Sequence, residues 1–159
     1  MPAIGRNLAR SAALLCIASA LAFADAHDDV LEVVTKMAAA LTEVNGDGAG
    51  TNSANVAEFM SAISKEMPDR DTLKKNVTAL VNNAEISSSI QLLTEDALGD
   101  AYKIDLDWLL EIRSLEQDGP LDRRREVVHC ELHKEKSHWK VVALKPVEFF
   151  APPPATVGK

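Results

Sequence analysis

The residues of this chain best suited to chemistry fall in its last third: Asp105 and Asp107, then His129, Cys130, Glu131 and His133. An imidazole and a carboxylate two apart on a strand share a face, and a third group from a neighbouring strand could complete a metal site. His129 and His133 stand ~13 Å apart along a strand, too far to hold one ion without a bulge. His129 with Glu131, ~7 Å apart, would need Asp105 or Asp107 from the adjacent strand. A solvated polar sheet face is the commoner origin of such a pattern, so no metal is assigned.

Asp105 and Asp107 could do general acid–base work if buried. They stand opposite an apolar stripe, which places them in solvent. Cys130 alternates with Val128 and Leu132, the pattern of a small buried residue. His27, His129, His133 and His138, with Cys130 and several serines, leave a nucleophile–histidine–acid triad open, but nothing selects a set. No catalytic residue is assigned and no cofactor is implied. Counted from Asn45, a calcium loop would have Asp47 third and Gly50 sixth, but Ala49 takes the fifth place and Val56 the twelfth, so the ligand set fails. Asn76-Val77-Thr78 matches a glycosylation sequon inside an expected helix and carries little weight.

These side chains must be placed by three helices and four strands. Asp28 to Asn45 reads as a helix with Val30, Val33, Val34, Met37, Ala40, Leu41 and Val44 on one stripe. Gly46 to Gly50 ends it in a glycine-rich loop. Ser53 is placed to cap a second helix running to about Met67, with Val56, Phe59, Met60, Ile63 and Met67 inward and Pro68 as its stop. Asp71 caps a third over Thr72 to Asn83, with Leu73, Val77, Leu80 and Val81 inward.

The period then changes to two. Ile86, Ser88, Ile90 and Leu92 share one face of a strand from Glu85 to Leu93, and Thr94 to Asp100 reads as a turn. Tyr102, Ile104, Leu106, Trp108, Leu110 and Ile112 lie on one face of a long strand, opposite Lys103, Asp105, Asp107, Leu109, Glu111 and Arg113. Trp108, at mid-stripe, is expected in the core. Asp118-Gly119-Pro120 marks a turn. Arg123 to Lys134 and His138 to Pro146 form a last hairpin around Glu135-Lys136-Ser137. Its register is open: if His133 pairs with Trp139, then Trp139, Val141 and Ala143 join His129 and Glu131 on the outer face. A slip of one residue moves all three beside Val128, Cys130 and Leu132.

The N-terminus reads as an export signal. Arg6 and Arg10 form a positive region, Ser11 to Phe23 is apolar and uncharged, and Ala24-Asp25-Ala26 is a small-x-small cleavage site. The apolar run is short of the ~20 residues of a spanning helix. Leu15 before Cys16 departs from a lipobox. The expected organisation is therefore a signal peptide over 1–26, one α+β domain over 27–150 and a disordered proline-rich tail over 151–159. The protein is expected to be exported, periplasmic or extracellular. Of 159 residues, 17 are basic and 24 acidic, a formal net charge of −7. Removal of Arg6, Arg10 and Asp25 leaves the mature chain one unit more negative. That balance, with no basic run carrying interleaved aromatics, disfavours nucleic acid and anionic membranes. Cys130 alone remains after cleavage, so no intramolecular disulfide is expected.

The later part of the chain resembles the nuclear-transport-factor-2-like superfamily, the curved-sheet fold of ketosteroid isomerases, scytalone dehydratase and polyketide cyclases. The residues concerned are Ile86-Ser-Ser-Ser-Ile90, Asp107-Trp108-Leu109, Arg123-Arg124-Arg125, and Trp139 to Pro146 with Phe149-Phe150. The resemblance implies three N-terminal helices packed on a four-stranded curved antiparallel sheet, cone-like, around an apolar pocket. It implies also that members often dimerise sheet to sheet. This chain departs from the pattern in having only Pro68-Asp69-Arg70-Asp71 between its second and third helices, where members carry a short strand pair, and in offering no residue for the family's acid or base.

The reading is an exported, non-enzymatic binding or interaction domain; the alternative is a small pocket enzyme of the isomerase, dehydratase or cyclase type. A small apolar ligand would be walled by Phe59, Ile63, Leu80, Trp108 and Leu110. A homodimer through the outer sheet face would use Leu109 with Trp139 and Val141, in the first of the two registers.

Overall fold

The computed structural model describes residues 9–42, 49–115 and 121–154. Helices α1 (Ala9–Thr42), α2 (Ala49–Ser61) and α3 (Arg70–Asn83) precede strands β1 (Ala84–Leu98), β2 (Ala101–Ser114), β3 (Leu121–Glu135) and β4 (His138–Lys145). A 3-10 turn, Val147–Phe150, follows. The strands pair antiparallel in chain order, forming a curved, unclosed sheet in an α+β fold. Of the expectations above, Gly46, Asp118-Gly119-Pro120, Arg6 and the end of the tail lie outside the described residues.

The apolar stripes decide the packing. Strand β2 runs through the middle of the sheet and turns Tyr102, Ile104, Leu106, Trp108, Leu110 and Ile112 inward, all buried. Against them lie Val30, Val34, Met37 and Leu41 from α1 and Leu73, Val77, Leu80 and Val81 from α3. Each such side chain contributes about 1.5–3 kcal/mol on burial.

Helix α1 runs unbroken through Ala24-Asp25-Ala26, well upstream of the expected start at Asp28. Its alanines and leucines are strong helix formers, so nothing local stops the helix there. Among the described residues, no helix is long and apolar enough to cross a membrane. Helix α2 begins at Ala49, so Ser53 lies inside it rather than at its cap.

Helix α2 also ends at Ser61, six residues before Met67. Ala62 to Ser64 instead runs along β4: Val141 N–H donates to the Ala62 carbonyl and Ser64 N–H to the Val141 carbonyl, each at 2.9 Å. Ile63 and Met67 are buried, as their helical spacing implied. The unmet backbone groups of an edge strand favour the extended path over another helical turn. This parallel bridge corrects the expectation that nothing strand-like separates α2 from α3. Helix α3 starts at Arg70, and Asp71 sits in its first turn rather than capping it.

Strand β1 runs past Leu93 to Leu98, with an irregularity between Leu92 and Thr94. The expected seven-residue turn shrinks to Gly99-Asp100, where Gly99 holds φ 68°, a conformation that favours glycine. In the last hairpin Lys134 faces Trp139 and Leu132 faces Val141; a shift between Glu131 and Leu132 then sets Ala143 against Glu131 and Leu144 against Cys130. Trp139 and Val141 are 4 % and 0 % exposed, so these two of the three expected interface residues lie in the core. The bulge returns Ala143 to the outer side, so neither simple register holds throughout.

Candidate functional site

One region that could hold a site is the interior. Phe59, Ile63, Leu80, Trp108 and Leu110, the expected pocket walls, all belong to one buried core cluster. Trp108 meets Phe150 edge-on at 5.0 Å between ring centres and Phe149 at 6.3 Å. Phe59 meets Phe150 at 5.7 Å. The Trp108 indole N–H donates to Ser88 Oγ at 2.9 Å. The 3-10 turn thus drives two aromatic rings between α2 and the sheet. It is held there by Arg124, which donates to the carbonyls of Phe149 and Ala151.

Among the described residues the buried polar side chains are Asn55 and Ser64. Two buried groups can also titrate. Burial, with a smaller contribution from Asp105, pushes the Cys130 thiol up to about 12. Burial first, and then Glu95, raises Tyr102 above its ordinary value. Neither is poised to exchange a proton near neutrality.

A second place is the outer face of the sheet, where the metal candidates stand. His129 Nδ1 faces Asp105 Oδ1 at 2.6 Å, and Thr94 donates to the other carboxylate oxygen at 2.8 Å. Arg125 binds Asp107 through two of its nitrogens. His133 Nε2 faces Glu131 at 2.9 Å and Arg123 faces Glu111 at 3.3 Å. Hydrogen bonds from His129 and Thr94 hold Asp105 below the usual carboxylate range, and the Arg125 guanidinium does the same for Asp107. These groups neutralise one another across strands, as opposite charges on one face do. Leu109 interrupts the ladder, with exposed Val127 diagonal to it.

A third place is the helical side. Helices α2 and α3 pack against each other, and between them lies a groove of about 500 Å³. Val56 and Met60, both buried, and Ala57 line one wall with Ser53 and Ser61; Arg70, Lys74, Thr78 and Asn82 line the other. A second cleft of about 520 Å³ shares Met60, Ser61 and Arg70 and continues past Ile63 and Ser64 to Glu135 and Lys140. There Ser64 Oγ donates to Glu135 and Lys140 Nζ donates to the Ser61 carbonyl. Both volumes fall in the ~300–1,000 Å³ range of small-molecule sites. Arg70 stands where the two clefts meet, and its Nε is buried without an acceptor.

None of the groove residues was singled out from sequence as part of a binding site; Ser53 was read as a helix cap, Thr78 as part of a sequon, and Val56 and Met60 as core. Arg70, Lys74, Thr78 and Asn82 recur every four residues on α3, away from the Leu73–Val77–Leu80 stripe. That spacing was available as a signal. It reads as an ordinary solvated ridge until α2 is known to end at Ser61 and lie beside it.

The sequence of the chain matches no protein-family model and no curated protein. Its fold is nevertheless shared. A conserved protein from Planctomyces limnophilus superposes with a TM-score of 0.62 at 7 % identity, over 76 % of this chain and 93 % of that one. A proposed aromatic ring hydroxylase from Novosphingobium aromaticivorans superposes with a TM-score of 0.56 at 10 % identity, over 73 % and 83 % of the two chains. A designed protein of the nuclear-transport-factor-2-like type superposes at 0.50 with 12 % identity, over 75 % and 96 %.

Proposed function

Because the chain has the nuclear-transport-factor-2-like fold, we propose that it is an exported, non-enzymatic binding domain for a small molecule, with its site in the groove between α2 and α3. The observation that carries this reading is the composition of the interior. Trp108, Phe59, Phe149 and Phe150 fill the space under the sheet, and the titratable groups described there, Tyr102 and Cys130, are shifted away from neutrality. An enzyme of the isomerase or cyclase type needs an acid or base inside its cavity with a value near the working pH. Here Asp105, Asp107, His129, Glu131 and His133 stand on the outer face of the sheet, each engaged with a neighbour. The groove has the volume of a binding site and a mixed apolar and polar lining.

Titration of ¹⁵N-labelled protein with the neutral apolar dye Nile red tests where a ligand sits. Shifts concentrated at Ala57, Met60 and Thr78, abolished in Ala57→Trp, support the groove. Shifts concentrated at Leu80, Trp108 and Phe150 would return the site to the interior and revive the pocket-enzyme alternative.

A further inference from the structure

We propose that the groove between α2 and α3 selects an anionic amphiphile: a small molecule with a carboxylate head, seated at Arg70 and Lys74, on an apolar body lying along Met60, Ala57 and Val56. This rests on the groove being the binding site and adds the chemistry of its occupant.

The charge at the groove runs against the charge of the molecule. The chain carries −7, yet the charged residues lining this groove are Arg70 and Lys74, with no carboxylate among the lining residues. The two stand four apart on α3, where side chains on one ridge have Cβ atoms ~5–6 Å apart. Both lie in the first turns of that helix, whose dipole adds to the positive potential. Asp71, also in the first turn, is exposed and outside the lining.

Among the described residues the cations have no partners. Neither Arg70 nor Lys74 has a side-chain hydrogen bond or ion pair among the described residues. Elsewhere Arg123, Arg124 and Arg125 each engage a carboxylate. The Nε of Arg70 is covered and without an acceptor, so part of this guanidinium is neither hydrated nor paired. An anion brought to such a group gains more than it would at a fully solvated one. A guanidinium with an ammonium beside it suits a planar carboxylate, which the arginine can meet with two parallel bonds.

The remainder of the groove fits a body rather than a second head. From Arg70 to Asn82 the helix rises ~18 Å, of which Lys74 onward takes ~12 Å. Along that length the opposite wall is Met60, Ala57 and Val56, edged by the hydroxyls of Ser53 and Thr78 and the amide of Asn82. A wholly neutral occupant would take water from the two cations without replacing it, which costs free energy. A cationic one would be repelled.

The full chain is titrated calorimetrically with dodecanoate, dodecanol and dodecyltrimethylammonium below their aggregation limits, and the site is located by amide shifts. Dodecanoate is expected to bind, shifting Ala57, Met60 and Thr78. Its affinity should fall at least about tenfold in Lys74→Gln and further in Arg70→Gln, with binding lost in Ala57→Trp. Lys74 is exposed, so its variant answers the question even if Arg70→Gln does not fold. Dodecanol binding as tightly at the same amides, indifferent to Lys74→Gln, would overturn the carboxylate head and leave the groove as the site. Shifts centred on Trp108 and Phe150, or none with any probe, would overturn the inference and the groove reading together.

Discussion

Trp108→Ala deletes a fully buried side chain from the middle of β2. The usual cost of removing a buried tryptophan is about 3–5 kcal/mol, the larger values arising where the surroundings cannot collapse into the hole. The structure argues for the upper half. The neighbouring rings of Phe149 and Phe150 sit on a turn whose carbonyls Arg124 binds, and β1 and β3 pair on both sides of β2. Losing the edge-on contacts to Phe150 and Phe149 lies within this figure, at about 0.5–1.5 kcal/mol each. The Ser88 hydroxyl, half-buried, is left to find water, so it adds little. Against a total stability of about 5–15 kcal/mol, the variant keeps a thin margin. Urea denaturation at equilibrium measures the change, and the chain's second tryptophan, Trp139, remains as reporter. The same substitution opens an apolar hole the size of the lost ring, which should accept free indole, as engineered apolar cavities accept small aromatics. Indole at ten times its dissociation constant should restore about 1.4 kcal/mol. A loss under about 1 kcal/mol, or a midpoint that indole does not move, would refute the claim that the cone is packed solid around Trp108.

N-terminal sequencing of the exported protein should read from His27; a soluble cytoplasmic pool retaining Met1 would defeat the export proposal. Self-association through the outer face now rests on Leu109 with Val127 beside it. Light scattering at high micromolar concentration should show monomer–dimer exchange for the natural chain and monomer for Leu109→Glu, and monomers for both would end the proposal. Asp105 and Asp107, held below the ordinary range by His129 with Thr94 and by Arg125, stabilise the fold fully above their unfolded value of about 3.9. That contribution is lost as pH falls through their native values, because the unfolded chain takes up the protons first. The urea midpoint should therefore drop below about pH 4, and less steeply in Asp107→Asn; an unchanged slope would refute the pairing. Cys130, with its thiol pushed up to about 12 by burial, should react with a disulfide reagent far more slowly in the native than in the denatured chain.

What was legible in the sequence is what repeats over a long stretch within one element. Six alternations identify β2 and put Trp108 inside. Three- and four-residue spacing identifies the buried faces of α1 and α3. Segments whose conformation depends on a partner were not legible. Ile63 and Met67 continue the α2 stripe at helical spacing, and both are buried, yet Ala62 to Ser64 is extended because β4 offers it hydrogen bonds that no local pattern announces. The aromatic filling of the cone was hidden for a related reason. Phe149 and Phe150 lie in a four-residue turn too short to show a period, so the space they occupy was left open for a ligand.

The fate of the outer face turns on one extra residue. With a regular ladder, Trp139, Val141 and Ala143 move together, all inward or all outward. The shift between Glu131 and Leu132 separates them: Trp139 and Val141 pack inward, where Trp139 meets Tyr102 edge-on at 5.7 Å, and Ala143 turns outward opposite Glu131. Two large apolar residues thereby leave the face on which a sheet-to-sheet dimer would depend, while Arg123, Arg125, His129 and His133 keep their carboxylates there. A face of paired charges is easily hydrated and gives up its water reluctantly. The groove between α2 and α3 has the opposite character, with a buried apolar wall and two cations that have no partner among the described residues. Free energy is therefore available on the helical side for binding, and on the sheet side, outside the Leu109 and Val127 patch, it has already been used between neighbouring strands.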